Sequence, residues 1–179
     1  MGPRTLIDGL RANACVVHEV TPDAAAAFVA GRAAELWGHG PIAVATGDPV
    51  LVELGIVDSL RASGLPLLEP DDRDWHERLA TATVGVTGAA LAVEEPPVFA
   101  LRSGPGMPRA VSLLPPVHLC VLPTSAVLPT LGEAISKLAA EPLPSAWSWI
   151  GGPSRTGDLE MVQTLGVHGP VAVEVVVVG

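Results

Sequence analysis

The residues of this chain best suited to chemistry lie in glycine-rich stretches, the densest being Gly151-Gly152-Pro153-Ser154-Arg155-Thr156-Gly157. Paired glycines let a backbone turn tightly and approach a ligand, Ser154 and Thr156 offer hydroxyl donors, and Arg155 offers a planar cation. Asp158 opens a predicted short helix over 158–165, whose first amides would face the same loop. Gly152, Ser154, Arg155, Thr156 and Asp158 therefore describe an anion pocket. A structural alternative stands beside it, in which Asp158 caps the helix and Arg155 pairs with Asp158 or Glu160. The loop is not a phosphate loop of the G-x-x-x-x-G-K-[ST] kind, since its lysine is missing. Lys137, the one lysine of the chain, leaves Schiff-base chemistry almost without a candidate.

Two further loops carry similar chemistry. Arg102-Ser103-Gly104-Pro105-Gly106 follows a predicted strand, and Arg102 and Arg109 bracket the turn as ligand contacts or as solvated loop arginines. Thr87-Gly88 closes another predicted strand and pairs a hydroxyl with an unhindered backbone amide. His168, between Gly166-Val167 and Gly169-Pro170, is either an oriented ligand-binding ring or a turn histidine bonded to its own backbone. Glu95 is the candidate acid/base or acyl acceptor, although adjacent Glu94 and Glu95 diverge and cannot form a dyad. The five histidines show no H-x-x-x-H or H-E-x-x-H spacing, and Cys15 and Cys120 show no C-x-x-C spacing. Local spacing thus predicts no metal or cluster site in this chain, and buried free thiols are the expectation.

Such loops must be positioned by a scaffold. Thr21-Pro22-Asp23 reads as a helix start for the alanine-rich run through Glu35, which Gly38 and Gly40-Pro41 stop. Further helices are predicted over 50–62, 71–79 and 127–140, the last with Leu128, Leu131, Ile135 and Leu138 on its apolar face. Continuous apolar runs predict buried strands over 42–46, 65–68, 83–87, 98–102, 117–122, 146–150 and 171–178. The alternation implies an α/β fold: three layers, a mostly parallel sheet with helices on both faces, in a single domain over 1–179. Ligands of such sheets collect beyond the carboxyl ends of the strands, which places all three loops in one crevice.

Ten basic residues against nineteen acidic ones give a net charge of −9, which argues against nucleic acid and anionic membrane surfaces as partners. The most apolar stretch, Val111 to Leu131, contains four prolines and His118, too broken for a membrane span. Asp8, Arg11 and Asn13 interrupt the place of a secretory apolar segment, so a cytoplasmic location is expected.

Four motifs in order, GVTGAALAVEE (85–95), LRSGPGMPRAVSLLPPVHLCVLP (101–123), GGPSRTGDLE (151–160) and GVHGP (166–170), resemble those of the LUD domain, the family of lactate utilisation protein C. The motif-bearing part covers about 83–178. The resemblance implies a fold similar to that of sugar-phosphate isomerases and CoA transferases. It also implies a cluster-free accessory role beside iron-sulfur subunits that oxidise L-lactate to pyruvate, with a small carboxylate or phosphate-like ligand. A stand-alone sugar-phosphate or CoA-thioester enzyme and a regulatory carboxylate-binding module are the alternatives. Ser154, Arg155, Thr156 and Asp158 sit on one family signature, and Thr87, Gly88 and Glu95 on another. Where relatives continue that glutamate with Thr-Gly-Thr, this sequence has Pro96-Pro97-Val98.

Overall fold

In chain order the elements are α1 (Arg4–Ala12), β1 (Val16–Val20), α2 (Pro22–Leu36), β2 (Ile42–Val44), α3 (Pro49–Glu53), α4 (Ile56–Ala62), β3 (Leu67–Leu68), α5 (Trp75–Leu79) and β4 (Val84–Gly88). They continue with β5 (Leu91–Glu95), β6 (Val98–Ser103), β7 (Val117–Pro123), β8 (Val127–Thr130), α6 (Leu131–Ala139), β9 (Ala146–Ile150), β10 (Arg155–Gly157), β11 (Gln163–Leu165) and β12 (Ala172–Val178). They come from a computed structural model that describes residues 4–157, 163–165 and 168–179.

The main sheet has six strands in the order β1-β12-β7-β4-β2-β3, every adjacent pair parallel. Its central strands are apolar at successive positions because both faces are covered. Leu119, Val121, Val176 and Val178 point to the face packed by α2, α3 and α4, where Ala25, Val29, Ala33, Leu51, Ile56 and Leu60 complete the core. Cys120, Leu122, Val173, Val175 and Val177 point to the other face. There they meet Leu6, Ile7 and Leu10 of α1 together with Ala92, Phe99 and Leu101 of a second sheet. Trp75 and Leu79 of α5 pack beside them on β2 and β3.

That second sheet, ordered β8-β5-β6-β9, is absent from the sequence-level layout. It forms because the 91–95 run is a strand that turns through Pro96-Pro97 to pair antiparallel with β6. The predicted helix over 127–140 also starts late. Pro129 disfavours helical backbone at Leu128, so Val127–Thr130 is extended, and the Thr130 hydroxyl caps α6 by accepting from the Glu133 amide. The predicted helix over 50–62 is two helices, divided at Gly55 in the left-handed region (φ 66°). Helix α1 was not expected from the sequence. Its three fully or almost fully buried side chains each contribute about 2 kcal/mol of apolar burial. The described end of the predicted 158–165 helix is a strand, since Gln163–Leu165 pairs antiparallel with Arg155–Gly157. No helix among the described residues is long and apolar enough to cross a membrane.

Candidate functional site

Strands β2 and β4 are neighbours in the main sheet, yet the next strand of that sheet after β2, β3, lies on one side and the next after β4, β7, lies on the other. Connections that part in this way open a crevice at the carboxyl ends of the two strands. A narrow cleft of about 10 Å³, room for the centre of roughly one water, lies there. Ala45 and Asp48 line it from the loop after β2, Thr87 and Gly88 from the end of β4, and Arg102, Ser103 and Arg109 from β6 and the loop beyond. It adjoins an outer chamber of about 250 Å³ that shares Asp48, Arg102 and Met107. Glu53, Lys137, Glu141 and Trp147 close the outer chamber.

The floor of the cleft is built around Asp48. Its two carboxylate oxygens accept from the backbone amides of Val50 and Gly88, each at 3.0 Å, capping α3 and tying the β2 loop to β4. A Cβ at residue 88 would come within 2.3 Å of Asp48 Oδ1, so only glycine permits this approach. Burial pushes the Asp48 carboxyl above its usual range, against the lowering effect of those amides. Arg102 and Arg109 form no ion pair with any described acid, and Trp147 Nε1 is a buried donor with no partner among the described residues. Arg102, Arg109, Asp48, Thr87 and Ser103 around the cleft, with the Trp147 indole in the adjoining chamber, suit a small carboxylate that also carries a hydroxyl or keto oxygen.

The sequence candidates divide between places. Thr87, Gly88, Arg102 and Ser103 meet in this crevice. Gly152, Ser154 and His168 line a different hollow of about 210 Å³, with Ser112, His118, Trp149 and Val173. The reason is topological. Strand β9 belongs to the second sheet and runs antiparallel to β6, so Ile150 lies beside Phe99 while Ala146 lies beside Ser103. The loop after β9 consequently starts about four strand residues, roughly 14 Å, from the Ser103 end. Gly152 also packs tightly there, since a Cβ would come within 2.5 Å of the Asn13 carbonyl oxygen. Arg155 turns away from both hollows and donates from Nη2 to the Asn13 carbonyl at 3.1 Å. Thr156 lies in β10, and Asp158 lies outside the described residues. The anion pocket expected from the 151–158 loop is thus not assembled by its described residues.

Glu95 is exposed at the far end of β5, which leaves the crevice at Leu91, so the structure does not bring it to the cleft. The Pro96-Pro97 turn beyond it packs Pro97 against Gly9 of α1 and does not touch the crevice. Cys15 and Cys120 are free and buried, and burial raises both thiols, Cys15 to about 11. No group of three metal-ligating side chains converges among the described residues. Asp48 and Trp147 escaped the sequence reading. The helix-cap pattern Asp48-Pro49 was the available signal for the first, and nothing local marked the second.

The family model described as the LUD domain matches residues 4–178. The chain belongs to the LUD-domain family. The match extends the motif-bearing region through the amino-terminal half, including α1. Lactate utilization protein C of Deinococcus radiodurans is 34% identical to this LUD chain over 88% of it and 75% of the relative. Lactate utilization protein C of Bacillus subtilis is 31% identical over 74% of this chain and 60% of its own length. The corresponding protein of Halalkalibacterium halodurans is matched over 56% of its length, so the chain spans only part of these relatives. The crystal structure of a DUF162 family protein from Deinococcus radiodurans shares the fold, with a TM-score of 0.69 over 98% of this chain and 95% of that one at 23% identity.

Proposed function

We propose that this LUD chain serves lactate utilisation as an accessory subunit that binds a small carboxylate, L-lactate or its keto product, in the crevice at the ends of β2 and β4. The observation that carries the reading is the convergence of Arg102, Asp48 and Thr87 on one cleft, in a chain whose relatives are lactate utilisation proteins. Arg102, with Arg109 nearby, takes the carboxylate, and Asp48 and Thr87 take the oxygen on the neighbouring carbon. Oxidising lactate to pyruvate removes two electrons, and the described cysteines do not fit a cluster that would accept them. We therefore assign that role to iron-sulfur partner subunits and assign binding to this chain, in the cytoplasm. Affinity purification of the tagged chain under anaerobic conditions tests the partnership. A cysteine-rich iron-sulfur protein retained with it supports the reading, and its absence with and without lactate contradicts it.

A further inference from the structure

The cleft at the ends of β2 and β4 has room for the centre of roughly one water, so a ligand that reaches Arg102 must lie mostly in the outer chamber of about 250 Å³. Asp48, Arg102 and Met107 line both spaces and form the floor they share. Arg102 is the cross-strand partner of Trp147, and Ala100, two residues before it on β6, is the partner of Leu91. Arg102, Trp147 and Leu91 therefore stand on one face of the second sheet. Leu138 of α6 packs on that face, and Val50 of α3 joins these apolar side chains in the chamber wall. Toward solvent the lining turns charged. Glu53, Lys137 and Glu141 are exposed, which puts them at the rim, whereas Leu91 and Leu138 are buried.

We infer that the chamber receives the side chain of the bound acid, so that the ligand class is 2-hydroxy and 2-oxo acids whose apolar side chain is longer than the methyl group of lactate. The inference rests on the carboxylate reading of the crevice and extends it. Size sets the length. A cavity of about 150 Å³ holds a six-carbon ring, about 25 Å³ per heavy atom, so about 250 Å³ suits about ten heavy atoms. L-Lactate, with six, leaves much of that space unfilled, and an acid with a branched four-carbon side chain fills it. Polarity sets the chemistry. With the carboxylate on Arg102 at the floor, the carbon chain runs along Val50, Leu91, Met107, Leu138 and Trp147 and ends below the rim. A second carboxylate at that end would meet Glu53 and Glu141 against Lys137 alone, so an apolar end is favoured over an acidic one. Met107, an unbranched thioether shared by cleft and chamber, can adjust to side chains of different length.

The test is a calorimetric titration of the full chain with L-lactate, with L-2-hydroxy-4-methylpentanoate, and with L-malate, which matches the second acid in heavy atoms but ends in a charge. Each methylene taken out of water is worth about fourfold in affinity, so the methylpentanoate is expected to bind at least about tenfold tighter than L-lactate. L-Malate is expected to bind no tighter than L-lactate. Ala90→Phe, which puts a ring into the chamber from an exposed wall position, is expected to bring the two monocarboxylates to equal affinity. The comparison of acids in the unsubstituted chain needs no variant. A methylpentanoate that binds no tighter than L-lactate, or less tightly than L-malate, overturns the inference and leaves the crevice reading standing. A preference that persists in Ala90→Phe overturns it as well. Binding of neither monocarboxylate overturns the crevice reading, and the inference with it.

Discussion

Two hollows flank the Thr87–His118 pair, and their described linings differ in charge far more than the hollows differ in size. The crevice beyond β2 and β4 presents Arg102, Asp48, Glu53, Lys137 and Glu141 around about 250 Å³. The hollow at the beginning of β7 and β12 presents, among the described residues, His118, His168, Ser112, Ser154 and apolar walls around about 210 Å³. The same sheet thus has a charged crevice at the carboxyl ends of its strands and, among the described residues, an uncharged lining toward their amino ends. The strand-end rule applies to the first, where parting connections leave backbone amides and loop side chains free. It does not apply to the second, which exists only because another sheet and its loops pack over the first.

The contrast extends to titration, and here the largest effect is expected. His118 has a folded value of about 3 against 6.5 when unfolded, so its contribution to stability is fully present above about pH 6.5 and is lost as pH falls toward 3. In that window the unfolded chain binds a proton that the folded chain refuses, a loss of about 1.4 kcal/mol per pH unit. Asp48 runs the other way. Its carboxyl is raised by burial, so stability falls as pH rises from the unfolded value through the folded one. Chemical denaturation across pH 4 to 6, in the unsubstituted chain and in His118→Gln, separates them: the variant should lose most of the acid-side slope. A slope unchanged in His118→Gln would mean that this ring is not held neutral.

Gly88→Ala comes next, because its Cβ would fall on Asp48 Oδ1. We expect it to cost about 3 kcal/mol by overpacking and to abolish carboxylate binding. Gly31→Ala in α2, where a Cβ meets nothing within 4 Å, should instead be neutral or stabilising by up to about 1 kcal/mol. Denaturation midpoints of the two variants check both. Arg102→Ala should weaken carboxylate binding by about 2 kcal/mol, some thirtyfold, in calorimetric titration. Smallest of all, Ser154→Val should alter global stability by less than about 0.5 kcal/mol and leave carboxylate affinity unchanged, as calorimetry would show.

Much of this arrangement was legible in the residues. Runs such as Val117-His118-Leu119-Cys120-Val121-Leu122 marked strands covered on both faces, and Thr21-Pro22-Asp23 marked the start of α2. Thr87, Gly88, Arg102 and Ser103 were legible as site residues because they follow strands and combine donors with an unhindered backbone. The sheet to which a strand belongs was not legible. Apolar content alone cannot tell whether Ala146–Ile150 joins the parallel sheet or pairs antiparallel with β6, and that choice moved the 151–157 loop out of the crevice. Asp48 was hidden for a related reason. Its role depends on Gly88, forty positions away, which only the sheet brings near.

The central claim is that the crevice, and not the arginine-bearing loop after β9, holds the carboxylate. Calorimetric titration with L-lactate of the unsubstituted chain, Arg102→Ala and Arg155→Ala tests it most directly. The account predicts saturable binding that Arg102→Ala weakens about thirtyfold and Arg155→Ala leaves in place. Binding that survives Arg102→Ala and disappears in Arg155→Ala would contradict it.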